Sequence, residues 1–168
     1  VSRSSSRAYE TTYAAHVLGL VGSISDYTDE LKEQGYKRSD TIGISGAEAA
    51  FEEYLRGSDG KRVTSVNSVG KITGEYYKVE PRSGYTVELT LDLDLQQSVE
   101  DTLAAKVDQL NKKDGLTNRG AAAAVIKVGT GEILALASCP TYDLSTYRKD
   151  YNELSADPAK PIFNRATS

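Results

Sequence analysis

A serine three residues before a lysine sets a hydroxyl and an amine one helical turn apart. This chain has that spacing twice, at Ser58–Lys61 and Ser68–Lys71. On a helix, such a lysine can take the serine proton and leave a nucleophile for acyl transfer. The complete constellation also needs S-x-N and K-T-G. Ser65-Val66-Asn67 meets the first, but Lys71-Ile72-Thr73-Gly74 is one residue too long for the second. Both S-x-x-K hits carry glycine at their third position, and they follow a helix stop or lie between strand-like runs. A chain this rich in serine and lysine yields about one such hit by chance. Ser58, Lys61, Ser68 and Lys71 therefore read as decoys in turns, and no catalytic residue is assigned.

The other reactive side chains are few. His16 and Cys139 are the only histidine and cysteine. His16 has no serine or cysteine placed beside it by any motif, so a helix-packing role is expected. Cys139 follows an apolar run and precedes Pro140, which suits a buried, inert thiol. A structural zinc needs about four ligands, and no cofactor or metal is expected. Asp92 and Asp94 suit a helix entry, and Glu100 and Asp101 a solvated face. Gly129-Thr130-Gly131 lacks the G-K-[ST] of a phosphate loop and reads as a turn.

These residues need elements to hold them. Residues 11–18 suit a short helix stopped by Gly19, followed by a strand around 20–24. Residues 28–34 suit another, with Asp26 as cap and Gly35 as stop. The best-marked helix is 47–56: Ser45 and Glu48 form a capping box, and Ala47, Ala50, Phe51, Tyr54 and Leu55 make one apolar stripe. Glu52 and Arg56 are spaced to pair on its polar side, and Gly57 ends it. Strands are predicted over 62–69, 71–80 and 85–91, the last from strict alternation of Tyr85, Val87, Leu89 and Leu91 with polar residues. A long helix over about 95–111 has Asp94 at its entry, Leu95, Val99, Leu103, Val107 and Leu110 along one side, and Lys112 and Lys113 at its end. Residues 121–128 and 132–138 flank the glycine turn as a hairpin, and their nearly continuous apolar character predicts burial on both faces. Beyond Cys139 the chain is expected to be irregular, with Pro140, Pro158 and Pro161.

At 168 residues the chain can hold one or two small domains. Its net charge of −4 gives no electrostatic case for nucleic-acid binding. No apolar run approaches the ~20 residues of a spanning helix, and the polar start, with Ser2 to Ser6 all but continuous serine, is not a signal peptide. With no methionine at all, the chain reads as a fragment or a processed form.

Four segments, in order, resemble one family. The first is Arg7-x-Tyr9 followed by Ala14-Ala15-His16-Val17-Leu18-Gly19, with Glu10 where the family has proline. The second is Gly43-Ile44-Ser45-Gly46-Ala47-Glu48 running to Leu55-Arg56-Gly57-Ser58-Asp59-Gly60, similar to a G-x-x-G-x-E helix ending in L-x-G-x-x-G. The third is 87–103, and the fourth is 121–142, including Gly131 and Glu132, with Phe163-Asn164-Arg165-Ala166 beyond it. Together they resemble class B penicillin-binding proteins. The resemblance implies an α+β chain: a β-rich pedestal with short helices over 1–88, of the family's dimerisation type. The opening helix and hairpin of a truncated transpeptidase domain would follow over 89–168. It implies that Arg7, Tyr9, His16, Gly19, Gly43, Gly46, Glu48, Arg56, Gly57, Gly60, Gly131, Glu132 and Arg165 are structural motif residues.

In function, the resemblance implies a non-catalytic structural and interaction region. The longer parent would cross-link peptidoglycan by acylating a serine with a D-Ala-D-Ala donor, then transferring the acyl group to an amine. The true S-x-x-K would come shortly after a segment like 163–166. Implied partners are cell-wall synthesis and division proteins, among them a membrane glycan polymerase. The parent would be held at the extracytoplasmic face of the bacterial membrane by an N-terminal helix absent here. The uncharged strand 121–126 also leaves an edge on which a homodimer is expected. Two other readings stand beside this one. One is a small enzyme using Ser58 or Ser68, which a labelled β-lactam would reveal. The other is a free-standing extracellular β-rich binding module, which would need a ligand groove of its own.

Overall fold

The computed structural model describes residues 8–168; Arg7 lies outside them. The described residues form three two-stranded antiparallel sheets and six helices, a mixed helix and strand content with small sheets. They group into two compact units, 51–88 and the remainder.

The larger unit begins with α1, Ala15–Leu18, four residues entered through Ala14 in the left-handed conformation (φ 59°). Gly19 ends it as expected, although the helix starts later than residue 11. Strand β1, Val21–Ser23, pairs with β2, Thr41–Gly43. Between them, α2, Asp29–Glu33, is capped by Thr28, whose hydroxyl accepts the Leu31 N–H, rather than by Asp26. After β2 comes α3, Gly46–Ala50.

The expected single helix over 47–56 is divided. Phe51, at φ −115° and ψ 18°, leaves the helical region and separates α3 from α4, Glu52–Leu55. The Ser45 hydroxyl accepts the Leu20 N–H at 3.0 Å, a tertiary bond that the capping-box reading did not include. Phe51 is half-buried rather than a core side chain.

Helix α5, Leu93–Asp114, is longer than expected at both ends. Asp92, not Asp94, is its cap, accepting the Leu95 N–H at 3.0 Å, and Gly115 closes it in the left-handed conformation. Its apolar stripe is as the spacing predicts, with Val107 buried and Leu95, Val99, Leu103 and Leu110 half-buried. The stripe packs on a hairpin of β5, Ala121–Ile126, and β6, Ile133–Cys139. Ala135 and Ala137 lie under it at 0% and 1% exposure.

Burial on both faces holds for β6 but not for β5, which alternates half-buried and exposed residues. Helix α5 covers one face of both strands. Only on β6 is the other face met by further chain, so Ala122, Ala124 and Ile126 stay open.

The segment after Cys139 is not irregular throughout. It carries α6, Tyr147–Ala156, whose Tyr147 and Leu154 pack on a core of Ala15, Leu20, Tyr142 and Leu144. Tyr9 and Leu18 join the same cluster, so α1 and α6 bury their apolar sides together.

The smaller unit contains α4 and a hairpin of β3, Lys61–Val66, and β4, Ile72–Val79. Residues 57–60 run beside 81–84, joined by a two-way backbone pair between Ser58 and Arg82. The strand predicted over 85–91 does not form. Its alternation is real, since Val87, Leu89 and Leu91 are more buried than their neighbours, but no ladder partner lies alongside. Isolated bonds satisfy it instead, such as Tyr85 N–H to the Tyr54 carbonyl within this unit.

Candidate functional site

Most described motif residues lie in the larger unit, with 51–60 and 87–88 in the smaller one. Gly19 and Gly46 meet back to back. A β-carbon on Gly46 would stand 2.6 Å from the Val17 carbonyl oxygen and 2.7 Å from the Gly19 Cα. One on Gly19 would stand 2.0 Å from the Ser45 carbonyl oxygen. Such contacts are far inside van der Waals range, so only glycine lets the end of α1 touch the start of α3. Gly43 makes the same kind of approach to the Glu48 carbonyl. The second glycine of G-x-x-G, Gly46, and Gly19 are therefore one contact seen from two sides.

His16 lies on the buried side of α1, 9% exposed. Its Nε2–H donates to the Pro161 carbonyl at 2.8 Å, which defines the tautomer. The Thr141 hydroxyl faces Nδ1 at 3.5 Å, and the Tyr142 ring packs edge-on with centroids 5.0 Å apart. Burial holds the imidazole below the ordinary histidine pKa; the Pro161 bond opposes this, and the Arg165 charge adds to it.

Arg165 anchors the far side. Its guanidinium donates to the Lys160 carbonyl at 3.0 Å, the Phe163 carbonyl at 3.2 Å and the Ala159 carbonyl. A β-carbon on Gly120 would collide with this side chain, so a larger residue entering β5 would have to displace the guanidinium. Ser138 is buried between the two: its hydroxyl donates to the Phe163 carbonyl at 3.2 Å and accepts the Arg165 N–H at 3.0 Å.

Around this junction His16, Val17, Leu20, Ile44, Tyr142 and Asn164 line a concave region of about 520 Å³. His16, Ser45 and Asn164 use polar atoms there in structural bonds, and its walls are mostly apolar. Burial pushes the Tyr142 phenol up to about 12, so it stays neutral. Cys139, half-buried, has its thiol pushed up by burial; the Arg165 charge opposes this and the Glu100 charge adds to it. A thiol so placed is a poor nucleophile. Among the described residues no group of His, Cys, Asp and Glu is arranged to hold a metal ion, and no helix is long and apolar enough to cross a membrane.

The acidic residues divide in use. Asp92 caps α5, and Glu100 Oε1 accepts from the Ala14 N–H at 2.8 Å and from Gln96 at 2.6 Å. Asp101 borders a shallow second hollow near Asp143. Of the remaining motif residues, Gly131 takes a positive φ of 78° in the β5–β6 turn. Glu132 braces that turn, bound by Lys127 at 2.8 Å and the Thr130 hydroxyl at 3.1 Å, which hold its carboxyl below the usual range. Gly57 and Gly60 belong to the smaller unit, where β-carbons would strike the Arg82 carbonyl and Pro81. Arg56 closes α4, its N–H donating to Glu52.

The S-x-x-K pairs fall outside any helix. Ser58 is on extended backbone with Lys61 at the start of β3, and Ser68 is in the β3–β4 turn with Lys71 just before β4. Sequence reasoning passed over Gln96 and Ser138. Gln96 stood next to the α5 stripe as an ordinary polar residue, and its complete burial was the signal that only packing could supply.

Comparison with known proteins gives the junction its context. Residues 1–89 match the model of the penicillin-binding protein dimerisation domain. The chain is 35% identical over 162 residues to the peptidoglycan D,D-transpeptidase MrdA of Escherichia coli K12, covering 90% of this chain and 24% of that protein. The chain thus spans about a quarter of the length of the curated relatives it matches. Among solved structures it resembles a chain of a peptidoglycan synthase complex that coordinates polymerization and crosslinking, at TM-score 0.75 and 33% identity, over 95% of this chain and 29% of that one. It also resembles penicillin-binding protein 2 in complex with MreC from Helicobacter pylori, at TM-score 0.66 and 28% identity, over 92% and 27%.

Proposed function

Since this chain belongs to the penicillin-binding protein family and carries its dimerisation domain, we propose that it is a non-catalytic interaction region of a peptidoglycan cross-linking protein. Within it, 1–88 is the pedestal. Residues 89–168 are the opening of a transpeptidase domain, with α5 as its first helix and β5–β6 as its first two strands. The observation that carries this reading is the convergence of Gly19, Gly46, His16 and Arg165 on one buried junction, built from motif residues and committed to holding chain segments together.

The acyl transfer itself, a serine acylated by a D-Ala-D-Ala donor and then attacked by an amine, belongs to the longer protein. Its location is the extracytoplasmic face of the membrane. Its partners are cell-wall synthesis proteins. The neighbours support this, one being part of a peptidoglycan synthase complex and another bound to MreC. The exposed polar residues of the smaller unit, Glu53 and Arg62, with Glu52 and Arg56, are the surface to alter first. The comparisons lend no support to a free-standing β-rich binding module. Immobilised chain should retain a purified MreC-type protein or glycan polymerase from the same cell. Failure to retain either, with the chain shown to be folded, would refute the interaction role.

A further inference from the structure

Residues 157–168 contain no helix or strand, yet Ala159 and Pro161 are buried. Side chains hold the segment where a backbone ladder does not. Its own Arg165 gathers three carbonyls, and Lys160 sits in the left-handed region at φ 51°, a conformation that surrounding contacts must enforce.

The outside supports come from two places far away in sequence. One is β6, through Ser138, which bonds Phe163 and Arg165. This support is rigid. One edge of β6 pairs with β5, and the other is occupied by bonds from Thr90, Asp92 and Gln96. The second support is α1, through the His16–Pro161 bond and a long contact from Asn164 Nδ2 to the His16 carbonyl at 3.5 Å. Helix α1 has only four residues, and it is positioned by the Gly19–Gly46 contact and by the Ala14 N–H bond to Glu100. Unlike β6, α1 holds the segment through single side-chain contacts rather than from within a ladder.

We propose that His16 is a latch, making the position of α1 and the conformation of 159–167 a single coupled variable. A displacement of α1 withdraws the donor from Pro161 and frees the segment. Conversely, the ordered segment holds α1 in place, because coupling between two sites is reciprocal. Its biological consequence rests on the functional reading above, in which this segment belongs to the opening of a transpeptidase domain. The coupling itself does not, so the two fail separately.

His16 is the only histidine, so its ring gives one unambiguous set of proton resonances. Residue-resolved amide exchange is measured on the whole chain for the wild type, His16→Leu, His16→Gln and Asn164→Ala. In His16→Leu, exchange of the Arg165 amide should rise about tenfold or more relative to the Ala135 and Ala137 amides. Glutamine, which keeps a donor that can reach Pro161, should recover most of the protection. Asn164→Ala should both shift the His16 ring resonances and raise Arg165 exchange, and it serves as the deciding variant if His16→Leu does not fold. An equal rise across β6 and the segment, an unchanged Arg165 amide, or glutamine behaving as leucine does would each overturn the latch.

Discussion

Gln96 and Leu136 are joined through both ends of one side-chain amide. Gln96 Nε2 donates to the Leu136 carbonyl at 2.9 Å, and its Oε1 accepts the Leu136 N–H at 2.7 Å. The amide thus fills the place of a neighbouring strand on the outer edge of β6, inside a helix–sheet interface where Gln96 is fully buried. Gln96→Ala would strand two buried backbone groups and should cost about 2–4 kcal/mol. Urea denaturation measures it, and an unchanged midpoint would show that water or a shift of α5 replaces the amide at no cost.

The glycine contact between α1 and α3 predicts a contrast. Gly46→Ala forces a β-carbon into backbone and should cost about 3 kcal/mol or more, or prevent folding. Gly70 has an equally left-handed φ of 79° but open space around it, so Gly70→Ala should cost only about 1–2 kcal/mol. Equal effects on thermal stability would remove the close-approach argument.

The depressed His16 pKa makes stability depend on pH in one direction. The unfolded imidazole takes a proton near its ordinary value of about 6.5, while the folded one resists it. The unfolded state therefore binds more protons as pH falls, and the contribution is full above that value and lost as pH drops through the folded pKa. Between pH 7.5 and 5.5 the wild type should lose more stability than His16→Gln. Parallel losses, or a folded titration at or above the ordinary value, would contradict the burial assigned to the ring.

Neither Ser58 nor Ser68 has the helical turn that brings a lysine amine to a serine hydroxyl. Incubation of this chain with a β-lactam should leave its intact mass unchanged, and Ser58→Ala with Ser68→Ala should make no difference. A stoichiometric adduct that disappears in either variant would establish a serine nucleophile here.

Strand β5 presents an edge with no charge from Ala121 to Ile126, and among the described residues its only backbone ladder is the one to β6. Sedimentation equilibrium at tens of micromolar should show self-association that a lysine on the open face, Ala124→Lys, abolishes. A wild type that stays monomeric at that concentration would mean the edge is not a pairing template.

Some of this was legible without coordinates, and the division runs along a physical line. The stripe of α5 and the turn at Gly129–Gly131 are local: a 3.6-residue period and a glycine pair state them wherever the chain goes. Local pattern also implied a single helix over 47–56, a strand over 85–91 and an irregular tail. It failed there because local spacing alone does not decide these outcomes. Phe51 leaves the helix although its stripe continues, the alternation from Tyr85 finds no ladder, and Tyr147 and Leu154 make α6 worthwhile only by reaching the core beside Ala15 and Leu20.

The motif residues could be named from order and spacing, but not explained. That Gly19 must be bare because Gly46 lies against it, that His16 donates to a carbonyl 145 residues away, and that Gln96 completes a strand edge are facts of tertiary contact. Sequence alone determined the periodic faces, the turns and the family pattern, since these are properties of neighbouring residues. Only the tertiary structure decided which backbone groups those side chains satisfy, because a buried hydrogen bond is a choice of partner, and partners are selected by the packing of the whole chain.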